Sequence, residues 1–238
     1  MSEVVVVTGS TSGIGRAVVE RFARDGASVV VNSSRSVEEG EALARSLPEA
    51  VYVQGDLFRE EDAQRLVAAA VERFGHIDVV VNNAGTTRRV PFHDLEGADD
   101  ELWRRILGVN LMGPWYLSRA AVPALRETQG SIVNVGSVSG IIAGGSSLPY
   151  AVSKAALHHL TRTLAQALAP DVRVNAVAPG LVETPWTAGW EANEAIIART
   201  PLARAGTPDD IADAVAFLAR TAFATGQVLA LDGGLTLT

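Results

Sequence analysis

Seven short runs rich in valine and isoleucine most strongly constrain how this chain folds. They cover residues 4–7, 28–31, 51–53, 77–81, 132–135, 172–177 and 228–231. The runs are mostly apolar, with few polar residues, which is typical of strands buried on both faces of a parallel sheet. Helical patterns separate them, at residues 15–24, 37–46, 60–74, 99–126, 150–169 and 208–220. This alternation predicts an α/β fold: a doubly wound parallel sheet of seven strands with helices on both faces.

The length of the chain is compatible with one domain of this kind. The sequence has 238 residues, of which 47% are hydrophobic, and shows no repeat. We therefore expect residues 1–238 to form a single domain. Residues 181–200 are poorly patterned, since Pro185 and Gly189 interrupt them and only residues 191–199 have helical character. Long irregular insertions are often binding loops, so we predict a substrate loop here.

Composition argues against several classes of function. The net charge is −7 and the basic residues are scattered, which does not favour nucleic-acid binding. Without cysteine the chain has no disulfide, thiolate metal site or cysteine nucleophile. The four histidines lack metal-ligand spacing, so we predict no metal site. No stretch approaches about 18 apolar residues, and no signal peptide is evident, so we expect a cytoplasmic protein that does not enter membranes.

A glycine-rich turn follows the first predicted strand and precedes a helix. It is the segment Thr8-Gly9-Ser10-Thr11-Ser12-Gly13-Ile14-Gly15. Glycines allow a tight turn and close approach of backbone to a pyrophosphate, and the helix N-terminus attracts that anion. The segment therefore predicts a Rossmann-like dinucleotide site that includes Gly9, Ser12, Gly13, Ile14 and Gly15. The alternative is an ordinary strand-to-helix turn.

The end of the second strand bears on which dinucleotide binds. Ser33, Ser34 and Arg35 occur there, with no acid before Glu38. Hydroxyls and a guanidinium suit a 2′-phosphate, whereas an acid would bind the ribose hydroxyls of NAD. The sequence thus favours NADP(H), with NAD(H) as the alternative. Asp56 and Leu57, after the third strand, are candidates for the adenine, although Asp56 is alternatively a helix cap.

Tyr150 and Lys154 are the candidate catalytic pair. Their i, i+4 spacing places them on one face of a helix. An ammonium near a phenol favours the phenolate, so we expect Lys154 to lower the pKa of Tyr150. A tyrosine so adjusted can exchange a proton with a carbonyl or alcohol oxygen. The alternative is an incidental pair, with a half-buried tyrosine and a solvated lysine.

An ordered set of motifs resembles the short-chain dehydrogenase/reductase family over nearly the whole chain. The set comprises the Thr8–Gly15 turn, Asn82-Asn83-Ala84-Gly85, Asn110, Ser137 thirteen residues before Tyr150, Tyr150 with Lys154, Pro179-Gly180 with Thr184, Gly226-Gln227 and Asp232-Gly233-Gly234. One departure is Ser12, where many NADP-preferring relatives have a basic residue.

The resemblance implies catalytic roles for four residues. Tyr150 would be the general acid/base, and Lys154 would lower its pKa and bond the nicotinamide ribose. Ser137 would orient the substrate oxygen, with Ser139 as a nearby competitor. Asn110 would hold a water in a proton relay, its amide acting where the helix bends.

The resemblance also implies further cofactor contacts. They would come from Ile14, Asn83, Ala84, Gly85, Pro179, Gly180, Val182 and Thr184. Asn82 would instead tie neighbouring strands together.

These observations predict an NAD(P)(H)-dependent oxidoreductase acting on a small-molecule ketone or secondary alcohol. Candidate substrates are 3-oxoacyl thioesters, sugars or polyols, and cyclic or steroid-like ketones. The alternative is a non-catalytic subunit that binds or senses the dinucleotide. The resemblance further implies a homo-oligomer, a tetramer or dimer, with contacts through the helices at 99–126 and 150–169.

Overall fold

A computed structural model describes residues 2–238 and contains one seven-stranded sheet. The strands are β1 (Val4–Val7), β2 (Ser28–Ser33), β3 (Ala50–Gln54), β4 (Val79–Asn82), β5 (Ser131–Val135), β6 (Arg173–Pro179) and β7 (Val228–Leu231). Every neighbouring pair is parallel, in the order β3-β2-β1-β4-β5-β6-β7. The predicted doubly wound α/β fold is confirmed.

Within residues 2–238, eight α-helices connect or flank these strands. They are α1 (Gly13–Arg24), α2 (Val37–Ser46), α3 (Glu60–Phe74), α4 (Asp100–Leu107), α5 (Gly113–Thr128), α6 (Leu148–Leu168), α7 (Asn193–Arg199) and α8 (Pro208–Arg220). Local signals explain two of their ends. Gly75 ends α3 in the left-handed conformation, with φ at 88°. Thr207 and Asp210 form a capping box at the start of α8.

The stretch predicted as one helix over residues 99–126 is not uniform. A π-helical segment, Gly108–Met112, separates α4 from α5. Such wider turns occur mostly as single insertions and often at functional sites. Asn110 lies within this segment, so the expected bend is present but has π-helical geometry.

Two hydrophobic layers cover the sheet, one on each face. Val5 and Val7 point into the layer formed with α1 and α8, and Val6 points into the layer formed with α3, α5 and α6. Both directions are buried because helices lie on both faces. This explains why the strand sequences are mostly apolar rather than alternating.

Among residues 2–238, no helix is both long and apolar enough to span a bilayer. Within the same range, no group of three or more histidine and acidic side chains is arranged to hold a metal ion.

Candidate active site

A cavity of about 700 Å³ follows the carboxyl ends of the strands. Its walls come from the glycine turn, the segments after β2, β3, β4, β5 and β6, and the loop at residues 181–200. Ligands of open α/β sheets bind at this edge. The cavity brings together nearly all of the predicted site residues: Gly9, Ser12, Gly13, Ile14, Ser33, Ser34, Arg35, Asp56, Leu57, Asn83, Ala84, Gly85, Ser137, Tyr150, Lys154, Pro179, Gly180, Val182 and Thr184. Gly15 and Asn110 are the two predicted residues that lie behind its wall.

The glycine turn has the geometry needed to receive an anion. Gly9 and Gly13 have φ of 59° and 52°, in the region that favours glycine. No side chain caps the start of α1, and its first turn carries no acid. The first backbone N–H groups of α1 therefore lack side-chain partners where Ser12, Gly13 and Ile14 line the cavity. A dinucleotide pyrophosphate fits this arrangement.

Gly15 supports the turn from behind instead of lining the cavity. A Cβ on Gly15 would lie 2.4 Å from both the Asn83 Nδ2 and the Gly9 carbonyl oxygen. Its role in the turn is thus close packing, which the spacing alone did not distinguish from contact with a ligand.

Two neighbouring asparagines after β4 connect different parts of the sheet. The Asn83 amide donates to the carbonyls of Thr8 and Gly9 at 2.8 and 2.9 Å, so its side chain fastens the glycine turn. The Asn82 amide donates to Asn134 Oδ1 at 2.8 Å and to Ser118 Oγ at 3.2 Å. Asn82 therefore ties β4 to β5 and α5, as expected.

The segment after β2 is only partly free to bind a phosphate. The Ser33 hydroxyl donates to the Ser36 carbonyl at 3.0 Å and lies 2.9 Å from the Tyr52 hydroxyl. Ser34 and Arg35 are exposed on the cavity wall. The donors available to a ribose phosphate are therefore Ser34 and Arg35, while Ser33 shapes the loop beneath them.

Asp56 has a partner that the sequence did not indicate. The Arg105 guanidinium donates to Asp56 through two nitrogens, at 3.1 and 3.4 Å. The N-cap of α3 is Arg59, so the alternative of Asp56 as a helix cap is wrong. Leu57 is buried, and its carbonyl and side chain face Gly113 at the start of α5.

Ser137, Tyr150 and Lys154 meet on one wall of the cavity. Ser137 lies close enough to the Tyr150 phenol to favour its ionised form. The Ser137 Oγ also accepts from the Ser139 amide at 3.2 Å, which makes Ser139 a structural partner through its backbone. Lys154 donates from Nζ to the Val135 carbonyl at 2.8 Å and lies 5.7 Å from the centre of the Tyr150 ring.

The electrostatics of this wall differ from the expectation. Burial raises the pKa of the Tyr150 phenol, and the nearby Ser137 side chain acts in the opposite direction. Burial also lowers the pKa of Lys154 to about 8. In the protein alone the pKa of Tyr150 is therefore above its ordinary value, because desolvation is the largest influence on the phenol. That the Lys154 ammonium favours the phenolate stays a prediction.

Asn110 is a tether rather than a free amide. It is fully buried; its Nδ2 donates to the Thr86 carbonyl and to Ser153 Oγ, both at 3.0 Å, and its Oδ1 accepts from the Thr86 amide at 2.8 Å. Both N–H groups of the amide are used. The amide joins the β4–α4 connection to α6, next to Tyr150 and Lys154. That Asn110 holds a water in a proton relay stays a prediction, and Oδ1 has one acceptor site left for it.

The loop at residues 181–200 closes over this wall. The Thr184 methyl group packs against Gly13: a Cβ atom placed on Gly13 would lie 3.3 Å from that methyl group. The Trp186 and Tyr150 rings are 6.5 Å apart and tilted by 49°. Trp190 also lines the cavity, and Arg89 lies over its ring at 5.5 Å. The loop therefore contacts both the cofactor turn and the catalytic tyrosine.

Among the polar cavity residues that sequence reasoning missed are Thr11, Arg105 and Arg199. Thr11 lay within the glycine turn and its hydroxyl was a visible signal. Arg105 and Arg199 gave no such signal, because their placement depends on contacts between distant segments.

Comparison with known proteins identifies the family. Residues 9–236 match a family model described as enoyl-(acyl carrier protein) reductase. A putative ketoacyl reductase of granaticin polyketide synthase from Streptomyces violaceoruber is 52% identical, over 98% of this chain and 96% of that protein. A 3-oxoacyl-(acyl-carrier-protein) reductase from Thermotoga maritima is 38% identical over 99% and 98%. A crystal structure of a putative short-chain dehydrogenase/reductase from Burkholderia xenovorans has a TM-score of 0.93, with 38% identity over 100% and 99%.

This chain belongs to the short-chain dehydrogenase/reductase family. It is an NAD(P)-dependent oxidoreductase that acts on CH–OH or C=O groups. These relatives have the names of enzymes, and none is named as a non-catalytic dinucleotide-binding subunit.

Proposed function

We propose that this enzyme reduces the ketone of a 3-oxoacyl thioester, with NADPH as the preferred cofactor. The observation that carries the proposal is the single cavity that joins Ser137, Tyr150 and Lys154 to the uncapped start of α1. One end of this cavity suits a dinucleotide, and the other presents a proton donor beside an apolar wall. In this proposal residues 1–238 work as one domain, and the loop at 181–200 binds the substrate.

The proton chemistry follows from the wall residues. A bound NADPH supplies the hydride that reaches the carbonyl carbon. Ser137 hydrogen-bonds the carbonyl oxygen and orients it toward Tyr150. The Tyr150 phenol then gives its proton to that oxygen, which yields the alcohol. The ammonium of Lys154 stabilises the resulting phenolate, which is reprotonated from solvent. The tether at Asn110 keeps the segments around this group in place.

Preference for NADPH is supported by the charge at the end of β2. Arg35 and Ser34 offer donors and no acid competes for the ribose hydroxyls. Ser12 supplies no positive charge, so Arg35 is the main phosphate partner in this proposal.

Fluorescence titration of the purified protein with NADPH and with NADH tests this preference. We expect NADPH to bind at least about tenfold more tightly, and Arg35→Ala to remove most of that difference, as expected for loss of a charge-assisted bond. Glu38→Ala, a change nearby on α2, is the matched control. Tighter binding of NADH, or an unchanged ratio in Arg35→Ala, contradicts the assignment.

The choice of a 3-oxoacyl substrate is supported by the relatives and by the wall. Two of the relatives have the name of an oxoacyl or ketoacyl reductase. Another relative, 39% identical, has the name L-rhamnose 1-dehydrogenase, and comes from Azotobacter vinelandii. Trp186, Trp190 and Ile142 line the cavity and favour an acyl chain over a polyhydroxylated sugar.

Initial rates with NADPH and a 3-oxoacyl N-acetylcysteamine thioester, compared with rates for L-rhamnose and NAD(P)+, test this choice. We expect kcat/KM for the thioester to be higher. Turnover of the sugar alone contradicts it.

We further propose that copies of this chain form a homo-oligomer. Phe217 on α8, Phe223 after it and Leu229 on the edge strand β7 are exposed. Exposed apolar side chains near one sheet edge favour association. Light scattering during size-exclusion chromatography is expected to give a dimer or tetramer, and a monomer at micromolar concentration contradicts this.

A further inference from the structure

The cavity has more charged side chains than the binding of the cofactor and the proton transfer require. Four cationic side chains and one carboxylate line it: Arg35, Arg105, Lys154, Arg199 and Asp56. Arg105 is paired with Asp56. Arg35 lies at the ribose-phosphate end, and Lys154 lies beside the catalytic tyrosine. Of the residues that the structure describes, Arg199 is therefore the one cation lining this cavity that has neither an ion-pair partner nor a role in the proposed reaction.

Arg199 lies on the cavity side of the short helix α7. Ile196 also lines the cavity, three residues earlier, so the two share one helix face. Within residues 2–238, the Arg199 guanidinium makes no ion pair and no side-chain hydrogen bond, although Glu194 is on the same helix. Most of the other arginines in this range are in ion pairs. Its side chain is exposed and therefore free to meet a ligand.

An aromatic wall in the same loop lies beside the tyrosine. Trp186 contacts Tyr150, and Trp190 lines the same cavity and carries Arg89 on its ring. Trp186, Trp190, Ile196 and Arg199 all come from one continuous stretch of 14 residues, 186–199. A substrate with its carbonyl at Tyr150 thus meets apolar surface and has a cation available in the same loop.

We propose that Arg199 binds an anionic group on the substrate, distant from the reacting ketone. The inference rests on the proposed ketone reduction and specifies its substrate class: an amphipathic ketone with an apolar middle and an oxyanion. A guanidinium binds carboxylate and phosphate alike through paired hydrogen bonds. The anion is therefore either the carboxylate of a keto acid or the phosphate of a phosphopantetheine thioester.

Three ketones that differ in charge test this proposal with NADPH held saturating. They are a 3-oxoacyl N-acetylcysteamine thioester, which is neutral; the phosphopantetheine thioester of the same acyl group; and a keto acid with a terminal carboxylate on an apolar chain. Variants are Arg199→Gln, Arg199→Lys and the control Arg104→Gln, which changes an exposed arginine on α4 outside the cavity.

For the wild type we expect kcat/KM for at least one anionic ketone to exceed that for the neutral thioester by about tenfold, mainly through KM. Arg199→Gln is expected to abolish this ratio, Arg199→Lys to restore part of it, and Arg104→Gln to keep it. Preference for the phosphopantetheine thioester alone identifies the phosphate as the anion, and preference for the keto acid alone identifies the carboxylate.

Two results would overturn the inference while leaving the proposed reduction intact: equal use of neutral and anionic ketones by the wild type, or an unchanged ratio in Arg199→Gln. A loss of NADPH affinity in Arg199→Gln, measured by titration, would also overturn it by assigning Arg199 to the cofactor. No turnover of any of the three ketones by a wild type that binds NADPH would refute the proposed reduction itself, and the inference with it.

Discussion

The catalytic wall and the loop at residues 181–200 face each other across one cavity but are built differently. Behind the wall, Asn110 makes three hydrogen bonds with Thr86 and Ser153. Within the wall, Lys154 donates to the carbonyl of Val135 on β5. The loop contributes Trp186 and Trp190. The Trp186 ring lies near the Tyr150 ring, and the Arg89 guanidinium lies over the Trp190 ring. In the proposed function, the first region performs the chemical step and the second binds the part of the substrate that can vary.

This contrast explains why relatives with different named substrates share one fold. A relative named for a ketoacyl substrate and another named for L-rhamnose both align with almost the whole chain. A buried network that is fully satisfied is costly to change, because each lost partner leaves a polar group unpaired. The side-chain hydrogen bonds of the loop, such as those from Thr187 to Val182 and from Asn193 to Thr187, stay within the loop. Loop positions outside a buried network tolerate substitution.

The largest effect is expected from Tyr150→Phe. The change removes the proton donor and keeps the ring that packs against Trp186. Loss of a positioned general acid lowers rates by about 10²–10⁴-fold, so kcat should fall by that amount while NADPH affinity changes little. Steady-state rates and a fluorescence titration measure the two quantities. Retention of wild-type kcat would show that the wall does not perform the chemistry.

Gly15→Ala is expected to have the next largest effect, through the glycine turn. The added methyl group would meet the Asn83 Nδ2 and the Gly9 carbonyl at 2.4 Å, which forces the turn to move. Overpacking of this kind costs about 1–3 kcal/mol, so we expect NADPH affinity to weaken by about tenfold to a hundredfold. Gly144→Ala, where no atom lies within 4 Å of the new Cβ, is the control. Equal effects of the two changes in a titration would contradict this account of the turn.

A third test concerns the buried layer beneath the wall. His158 is 3% exposed and lies against Gly136 and Gly140, on either side of Ser137. Burial, and then the charges of Lys154 and Arg162, lower the pKa of His158 to about 4 from an ordinary value of 6.5. The unfolded chain therefore binds a proton at a higher pH than the folded protein does, and the free energy of unfolding should fall as pH drops from 6.5 to 4.

The expected loss is about 2 kcal/mol over that range. Urea unfolding at several pH values measures it. His158→Gln should flatten the dependence, whereas the exposed neighbour change His159→Gln should not. The same slope in His158→Gln would show that another group is responsible.

The smallest effect is expected in the loop, from Arg89→Ala. A cation–π contact near solvent contributes about 0.5–1 kcal/mol, so removing it from the Trp190 ring should raise KM for the ketone by less than about fivefold. Arg88→Ala is the control, because Arg88 bonds Gly97 and Asp99 at the start of α4 instead. A large fall in kcat for Arg89→Ala would mean that the loop, too, fixes the chemical step.

Much of the fold follows from local sequence. The apolar runs located all seven strands. A strand buried on both faces is rich in apolar residues, and this can be seen in the sequence without knowing which strands lie beside it. The end of α3 at Gly75 and the cap at Thr207 were equally local. The division at Gly108–Met112 was not, since it accompanies bonds that Asn110 makes with residues 24 and 43 positions away.

The site divides in the same way. The motif order identified the residues that line the cavity, but not which of their polar groups are already used. Ser33 is bonded to Tyr52, and Asp56 is paired with Arg105 from 49 residues away. The pKa of Tyr150 also depends on how deeply the whole fold buries the phenol. The four-residue spacing to Lys154 gives no information about that burial.

The most direct test of the account is a single turnover of the wild-type protein preloaded with NADPH and mixed with a 3-oxoacyl thioester. Cofactor oxidation and formation of the 3-hydroxyacyl product are followed in the same sample. The account predicts one hydroxyacyl product for each NADPH oxidised, and a large slowing in Tyr150→Phe. Tight binding of NADPH without oxidation in the presence of any ketone would contradict it.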